Sequence, residues 1–486
     1  MGGGLLELVA HGVQDSYMIG NPQITFFKIV FKRHTNFSLE SVQATFDGTA
    51  DFGQRIVVTI PRNGDLVNTI VLEADLPAIT TDSDAVGKEG TINYVNGLGH
   101  VLIEYVELEI GGQVIDKHYG EWMEIWTQLS YDESKQNAYD IILPRSNIDT
   151  TVANTTAGSS ATTVYIPLQF WFCRNIGLAL PLIALQYHDV KLNIKLKELS
   201  KLVTFGEQFF TITQSGTRII QSGTNPRVFD SNDSTKTIVY EDGTTGVSTF
   251  VSGNGSNLTP GDELDSSVSK NISTAQEIYL KPTNTVDSAE MVGFRVFIDY
   301  IFLDTYERKK FAQMKHRYLI EQVQFNDGIN VTAASPTKSI DLPFNLPIKS
   351  LYWVTQLNNY SQNNDNFNFA DKLNRSNGSF DDPITKAVLQ LNGTDRFEER
   401  NGKYFRLIQP FQKHTRVSKL YIYMYSFCLK PEAHQPTGTC NFSKINSSHL
   451  NLTYKSNIPA STVRVYALNY NVLRIFSGMG GLAFSN

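Results

Sequence analysis

Residues 189–197 read DVKLNIKLK, in which apolar and polar side chains alternate at every position. Because successive side chains of a strand point to opposite faces, this alternation predicts a strand with one buried face and one wet face. Residues 103–110 alternate similarly, and Gly111-Gly112 then permits a tight turn into a returning strand at 113–117. Residues 55–60 predict a further strand of this kind. A period of two therefore dominates the chain.

Helical patterns are few. Residues 121–129 carry one apolar stripe, which predicts a short helix lying on a sheet. The stripe comprises Trp122, Ile125, Trp126 and Leu129. Thr305–Gln313 predicts a second, capped helix. Many strands, few helices and frequent Gly, Asn and Asp turns are typical of an all-β sandwich or barrel protein.

The composition bounds the size and the partners of the protein. A chain of 486 residues is too long for one ordinary core, so two or three domains are expected. Charged residues make up only 19% of the chain, and a surface poor in charge suits a protein that buries its outside against neighbours. The net charge of −6 argues against direct binding to nucleic acid, because phosphate contacts need cations.

The sequence shows no pattern that is typical of an enzyme. No base, nucleophile and orienting partner stand at a usable spacing, so we expect no catalytic residue and no cofactor. The nine histidines form no zinc-binding pair, and the three cysteines predict buried free thiols. We also find neither a signal peptide nor an apolar run of the roughly 18 residues that span a bilayer. The protein is therefore expected to be made in the cytosol and to stay soluble until it assembles.

Two long polar stretches interrupt the strand pattern. Residues 205–290 and, more briefly, residues 358–382 are dense in Ser, Thr, Gly, Asn and Asp. Such stretches inside regular domains are typical of elaborated surface loops. Both carry Asn-X-Ser/Thr motifs, which either mark glycosylation or arise by chance in such a composition. The candidate motifs begin at Asn232, Asn254, Asn257, Asn271, Asn359, Asn374, Asn377 and, after the second loop, Asn392.

Two further groups of residues are candidates for contacts with other proteins. Near the N-terminus, a few apolar residues are too sparse for a core element and predict an arm; they are Leu5, Leu6, Leu8 and Val9. Around the helix at 305–313 lies a basic cluster that includes Arg308, Lys309 and Lys310. This cluster is either a solvated helix face or a contact with acidic groups of a neighbouring subunit or inner-layer partner.

Several short motifs, taken together and in order, identify a family. The chain resembles the major capsid proteins of the nucleocytoplasmic large DNA viruses, the double jelly-roll family. The matching motifs span nearly the whole chain. They are Gly20–Lys28, Asp299–Asp304, Glu307–Gln313, Tyr318–Gln322, Leu391–Gly393, Tyr404–Arg406, Pro436–Ser443, Val465–Arg474 and Gly478–Leu482. One departure is Arg317, where the family usually has glutamate, and it makes this turn more basic.

The resemblance implies a domain layout. It implies an all-β fold of two consecutive eight-stranded jelly rolls, with a few short helices and long surface loops. The N-terminal arm would occupy residues 1–25 and the first jelly roll residues 26–304, with residues 205–290 inserted between its last two strands. Residues 305–320 would be the connector, and residues 321–486 the second jelly roll.

The resemblance also implies a function and partners. Three copies would form a pseudo-hexagonal capsomer that tiles an icosahedral shell in the virion, assembled in the host cytoplasm. Neighbouring capsomers, minor capsid and penton proteins, and an inner viral membrane would be the partners. The sequence leaves two alternatives open: a minor capsid or spike protein of the same fold, and a β-sandwich glycan-binding protein or glycosidase.

Overall fold

The computed structural model describes most of the chain. It covers residues 3–10, 12–79, 92–144, 160–205, 208–212, 218–220, 227–230, 237–240, 245–247, 276–280, 289–332, 336–358, 361, 364–371, 382–456 and 458–484.

The first half contains eight principal strands. They are β1 (Phe37–Ala44), β2 (Arg55–Thr59), β3 (Leu66–Leu76), β4 (Ile103–Ile110), β5 (Gln113–Tyr119), β6 (Thr162–Pro167), β7 (Val190–Leu196) and β8 (Gly293–Leu303). All pairings are antiparallel and form two sheets, sheet 1 in the order β1-β8-β3-β6 and sheet 2 in the order β2-β7-β4-β5. The predicted strand at 189–197 and the predicted hairpin at 103–117 are confirmed by β7, β4 and β5.

The second half repeats this arrangement. Its principal strands are β9 (His316–Val331), β10 (Thr337–Asp341), β11 (Pro347–Leu357), β12 (Ile384–Leu391), β13 (Thr394–Asp395), β14 (Tyr423–Ser426), β15 (Ser448–Tyr454) and β16 (Ser461–Phe476). Sheet 3 has the order β9-β16-β11-β14 and sheet 4 the order β10-β15-β12-β13. The two halves therefore have the same strand order in their sheets: β9 corresponds to β1, β10 to β2, and so on to β16, which corresponds to β8. This order is that of an eight-stranded jelly roll, so the predicted pair of jelly rolls is confirmed.

The helices of the described residues are short, and most of them lie between strands. They are α1 (Gly3–Val9), α2 (Ser16–Ile19), α3 (Leu98–Leu102), α4 (Gly120–Ser130), α5 (Gln136–Ile142), α6 (Trp171–Arg174), α7 (Thr305–Gln313) and α8 (Gln409–Lys413), with a π-helical turn at Tyr404–Ile408 before α8. Helix α7 has the bounds that the sequence predicts, and α4 extends the predicted helix by one residue at each end.

Shorter strands complete the fold. A final strand, β17 (Met479–Leu482), pairs with β16. Between β7 and β8 the chain forms small antiparallel pairings of its own. Their strands are Val203–Phe205, Gln208–Ile212, Arg218–Ile220, Arg227–Asp230, Thr237–Tyr240, Thr245–Val247 and Gln276–Leu280, and Val203–Phe205 pairs with Ile92–Tyr94. Three two-residue strands extend the jelly-roll sheets at Leu180–Pro181, Arg400–Asn401 and Cys440–Asn441.

Each jelly roll encloses its own apolar core. In the first, alternate residues of sheet 1, such as Ile70 and Leu72, meet alternate residues of sheet 2, such as Val106 and Leu192. In the second, Leu351 and Val465 of sheet 3 face Leu450 of sheet 4 in the same way. The period of two in the sequence thus places one side of each strand in a dry core, which makes each jelly roll a stiff unit.

The strand register defines the two ends of the molecule. Residue Phe37, at the start of β1, pairs with Leu303 at the end of β8, whereas Gly293, at the start of β8, pairs with Asp75. The N-terminal segment and α7 therefore leave sheet 1 at one end, which we call the arm end. The chain between β7 and β8 leaves sheets 1 and 2 at the other end, which we call the loop end.

Candidate assembly surfaces

A seam of apolar side chains joins the two jelly rolls. Helix α4 belongs to the first jelly roll, but its predicted stripe lies on sheet 3 of the second. The ring centroid of Trp122 lies 5.3 Å from that of Tyr352 and 5.7 Å from that of Tyr466. All three side chains are almost completely buried. Because buried aromatic pairs of this geometry bind strongly, the helix acts as a wedge that fixes one jelly roll to the other.

A charged pair lies beside this wedge. The Arg464 Nε atom donates a hydrogen bond of 2.8 Å to Glu121 Oε1, and the Tyr466 hydroxyl donates one of 2.9 Å to the same oxygen. Burial alone would lower the pKa of Arg464, but Glu121 raises it above its usual range. The two charged residues are separated by most of the chain, so their pairing orients the jelly rolls as well as attracting them.

A second charged cluster crosses the seam. Glu321 of β9 binds the Lys349 ammonium, and its Oε2 atom lies 2.8 Å from Nη2 of Arg174 in the first jelly roll. The Lys349 side chain is only 1% exposed, and its ammonium also lies 4.8 Å from the ring centroid of Tyr470. Burial lowers the pKa of Lys349 although Glu321 acts in the opposite direction. A buried charge of this kind depends on its partner for stability.

Next to this cluster lies a small cavity of about 80 Å³. Pockets that hold metabolites are several times larger, whereas this volume suits a few water molecules. Its lining comes from both jelly rolls: Trp171, Arg174, Asn175, Leu178, Glu321, Glu432 and His434. Among the described residues, no group of three His, Cys, Asp or Glu side chains is arranged to hold a metal ion.

Two buried relays resemble catalytic triads in connectivity alone. In the first jelly roll, His100 lies 2.8 Å from Glu124 and 3.0 Å from the Tyr139 hydroxyl. In the second, His414 lies 2.7 Å from Glu432 and 3.0 Å from the Tyr352 hydroxyl.

Neither relay is placed for chemistry on a substrate. Burial raises the pKa of Tyr352 far above its usual value, and the first relay is also closed to solvent. For Glu432, burial raises the pKa, but hydrogen bonds from His414 and Thr415 lower it overall. A buried phenol that resists ionisation is a poor nucleophile. Both relays therefore tie helices and loops to the sheets.

The glycine-rich motif at 478–482 closes the seam at the arm end. The Tyr187 amide donates a hydrogen bond of 2.9 Å to the Gly478 carbonyl, and Gly480 lies against Leu185 and Ile110 of the first jelly roll. Gly478 also has a φ of +79°, a conformation that glycine adopts without strain. The motif thus allows the backbone of β17 to approach the first jelly roll closely.

Replacement of Gly480 by alanine is expected to cost about 1–3 kcal/mol, because overpacking a filled contact forces its neighbours to move. The added Cβ would lie 2.7 Å from Leu185 Cδ2 and 3.2 Å from Ile110 Cγ2. The measurement is the urea midpoint of unfolding. The matched control is Gly481→Ala, whose Cβ would meet only Gln113 Oε1 at 3.4 Å. Equal midpoints for the two variants would contradict close packing at Gly480.

The N-terminal segment is exposed well beyond its predicted end. Leu5, Leu6, Leu8 and Val9 lie on α1, and all four side chains are exposed. The resemblance implies that the first jelly roll starts at residue 26; its first strand, β1, begins at Phe37, and residues 18–36 are exposed throughout. We therefore define the arm as residues 3–36.

The basic cluster divides into paired and exposed cations. The Arg308 Nε atom lies 2.9 Å from Asp65 Oδ1, so this residue ties α7 to the first jelly roll within one chain. The Lys309 and Lys310 side chains are exposed. Lys315 and Arg317, which follow α7, are exposed as well.

Of the eight predicted glycosylation positions, only Asn392 lies within the described residues. Asn232, Asn254, Asn257, Asn271, Asn359, Asn374 and Asn377 lie outside them. Asn392 is exposed in the turn between β12 and β13, and its Oδ1 atom accepts hydrogen bonds of 2.8 and 3.2 Å from the amides of Asn446 and Ser447. Leu391 pairs with Ser448 at one end of sheet 4, and Ile384 pairs with Tyr454 at the other. Asn392 follows Leu391, so it lies at the end of the sheet that is farther from the loop that follows β11.

Comparisons with known proteins agree with this architecture. A family model described as the large eukaryotic DNA virus major capsid protein matches residues 307–481, and one described as the major capsid protein N-terminus matches residues 25–230. The major capsid protein of Pyramimonas orientalis virus is 39% identical over 513 residues, with 100% of both chains covered. That of Paramecium bursaria Chlorella virus 1 is 36% identical, again with 100% of both chains covered.

Solved structures show the same fold. A quasi-atomic model of the PBCV-1 virus capsid is 32% identical and superimposes with a TM-score of 0.67, covering 95% of this chain and 100% of that one. The Faustovirus major capsid protein, only 12% identical, superimposes with a TM-score of 0.65 over 96% of this chain and 94% of its own. The fold and the seam thus define a double jelly-roll viral capsid subunit. By sequence, the chain belongs to the major capsid protein family of the large eukaryotic DNA viruses.

Proposed function

We propose that the chain is the repeating subunit of the icosahedral shell of a large double-stranded DNA virus, and that three copies form one pseudo-hexagonal capsomer. The observation that carries this proposal is the pair of jelly rolls with equal strand order, fixed in one block by α4. Three such blocks place six similar jelly rolls around an axis. A nearly six-sided block tiles a flat facet through similar lateral contacts on every side.

The domain layout that we propose follows from the same block. The arm, which the resemblance bounds at residue 25 and which stays exposed as far as residue 36, links neighbouring copies or inner layers. The resemblance bounds the two jelly rolls at residues 26–304 and 321–486; their strands, from β1 and β9 onward, form the two walls, and residues 305–320 connect them. The loop end, with the chain between β7 and β8, faces outward and carries host contact or modification.

The role is structural rather than enzymatic. Its partners are other copies in the trimer, neighbouring capsomers, and minor capsid and penton proteins at the arm end. We place the protein in the virion, with assembly in the host cytoplasm. Curated relatives that match over the full length are named major capsid proteins, which favours this role over a glycan-binding or glycosidase role.

Light scattering after size-exclusion chromatography tests the trimer. We expect a mass of three times 54.5 kDa that persists on dilution to nanomolar concentration. The physical reason is an obligate interface on the order of 2,000 Å² per subunit pair. Folded monomers at nanomolar concentration would contradict the proposal. Copy number in purified virions separates a major from a minor shell protein, because only the major subunit exceeds every other shell protein in amount.

A further inference from the structure

The small cavity of about 80 Å³ lies where the two jelly rolls meet, and we call it the seam cavity. The first jelly roll contributes Trp171, Arg174 and Asn175 to its wall, and the second contributes His434. The Arg174 side chain is 17% exposed, and its guanidinium carbon lies 4.6 Å from the ring centroid of Trp126. Because this stacking holds the guanidinium in place, the wall of the cavity is preorganised.

The carboxylate oxygens that line the seam cavity already have partners. Both oxygens of Glu321 contact the cations described above. Glu432 Oε1 lies 2.7 Å from His414 Nδ1, and its Oε2 atom accepts a hydrogen bond of 2.5 Å from the Thr415 hydroxyl. The acceptors of the lining are therefore engaged within the protein.

The hydrogen-bond donors of the lining, in contrast, are in surplus. Arg174 contacts a carboxylate only through Nη2, and Asn175 uses only its Oδ1 atom, which accepts a hydrogen bond of 2.9 Å from the Gly177 amide. Among the described residues, the Arg174 Nε atom, the Asn175 Nδ2 atom and the Trp171 indole N–H have no acceptor, although Trp171 is only 2% exposed. The His434 ring has no hydrogen-bond partner among them either.

A surplus of donors favours a ligand that accepts hydrogen bonds without donating them. A water molecule that accepts from one of these donors still has its own O–H groups to place, and the nearby carboxylate oxygens are engaged. An oxyanion has no such requirement, and the planar fork of an arginine matches its geometry.

We propose that the seam cavity binds one small inorganic oxyanion, of the sulfate or phosphate type, through Trp171, Arg174, Asn175 and His434. A volume that suits a few water molecules also suits one tetrahedral oxyanion. Since the donors come from both jelly rolls, the anion adds a bridge across the seam, and its binding stabilises the folded subunit.

The charge balance of the seam cavity links anion binding to a proton. The titratable and charged groups around the His434 ring are Arg174 of α6, Glu321 of β9, Lys349 of β11, Tyr470 of β16 and Glu432 of its own loop. Burial lowers the pKa of His434; Glu321 acts in the opposite direction, and Lys349 and Arg174 lower the pKa further. The two cations balance the two carboxylates, so a protonated His434 supplies the positive charge that an anion requires. Anion affinity should therefore rise as the pH falls.

The experiment is calorimetric titration of inorganic sulfate into the full-length protein at constant ionic strength. Sulfate is the probe because it keeps its charge between pH 6 and 8. We expect about one sulfate per chain with roughly millimolar affinity at pH 7. The affinity should increase about tenfold per pH unit between pH 8 and 7, since one proton is taken up. His434→Gln should abolish this pH dependence, whereas His449→Gln, which alters a histidine paired with Asp341 on sheet 4, should retain it.

An isosteric variant tests the donors. Asn175→Asp keeps the Oδ1 contact with Gly177 but replaces the Nδ2 donor by a carboxylate oxygen, so sulfate should bind at least about 10-fold more weakly. The matched control is Asn441→Asp, because Asn441 Oδ1 accepts a hydrogen bond of 3.1 Å from the Ser443 amide in the same way and does not line the cavity. Arg174→Lys keeps a positive charge beside Glu321 but loses the fork, and it should also weaken binding.

Folded protein without saturable sulfate binding would overturn the proposal. Equal affinities of the Asn175→Asp and Asn441→Asp variants would mean an adventitious ion only, and a pH dependence that His434→Gln retains would exclude His434 from the site. If Asn175→Asp lowered the melting temperature more than its control does, an unchanged affinity of Arg174→Lys would overturn the proposal instead. Because the seam cavity lies within one chain, none of these results depends on the trimer, which light scattering on the same samples reports separately.

Discussion

Replacement of Trp122 by alanine is expected to lower the stability of the protein by about 3–5 kcal/mol and to loosen the two jelly rolls from each other. The indole is the centre of the seam, where it contacts Trp126 on its own helix and both Tyr352 and Tyr466 on sheet 3. Its removal leaves a cavity that aromatic neighbours on rigid strands cannot fill. The predicted result is a lower melting temperature together with faster amide exchange along β11 and β16.

The neighbouring residue provides a matched control. Met123 is equally buried, but it packs into the core of the first jelly roll rather than into the seam. Met123→Ala should therefore destabilise the first jelly roll, by about 2–5 kcal/mol, without selective exposure of β11 and β16. If both variants changed amide exchange in the same places, the seam would not be a separate contact.

Replacement of Glu321 by glutamine is expected to cost about 3–5 kcal/mol at neutral pH, because it leaves the charges of Lys349 and Arg174 without their carboxylate. The loss should diminish as the pH rises. Burial lowers the pKa of Lys349 in the folded protein, and removal of Glu321 lowers it further. Between that pKa and the higher unfolded pKa, the unfolded chain binds more protons, so stability increases with pH.

Urea midpoints at several pH values between 7 and 10 measure this effect. The difference between the variant and the unchanged protein should narrow toward the upper end of the range, and part of it should remain because Arg174 stays charged. The double variant E321Q/K349M should recover part of the loss at pH 7 and show little narrowing. A difference that stays constant across this pH range would mean that Lys349 is not the buried charge that Glu321 stabilises.

Local patterns predicted much of the fold. The alternation in 189–197 gave β7, and the glycine pair at 111–112 gave the hairpin of β4 and β5, because both depend on neighbouring residues. The apolar stripe of α4 also follows from the local sequence. The stripe alone does not specify which sheet the helix covers, because its partners Tyr352 and Tyr466 are hundreds of residues away in the sequence. The family resemblance supplied the second jelly roll, since the two halves share strand order without a sequence repeat.

The charged contacts at and beside the seam could not be predicted from local sequence patterns. Glu121 and Arg464 look like ordinary surface charges in their own segments, and Lys349 stands within a strand that carries no other charge. Their charged partners lie far away in the sequence, so local patterns do not reveal the pairs. The extent of the exposed segment was also beyond local patterns: the resemblance bounds the arm at residue 25, whereas strand pairing with β8 begins at Phe37.

The pairing of β1 with β8 also bears on synthesis by the ribosome. Sheet 2 has all its strands once Leu196 has emerged, but sheet 1 lacks its central strand β8 until Leu303 follows. The nascent first domain therefore exposes an apolar surface while the intervening residues are translated, a state that invites chaperone binding. The second jelly roll is also completed late, because His316 at the start of its first strand pairs with Ile475 near the end of its last principal strand. Gly478–Leu482, which follow β16, then pack against the first jelly roll and fix the two jelly rolls together.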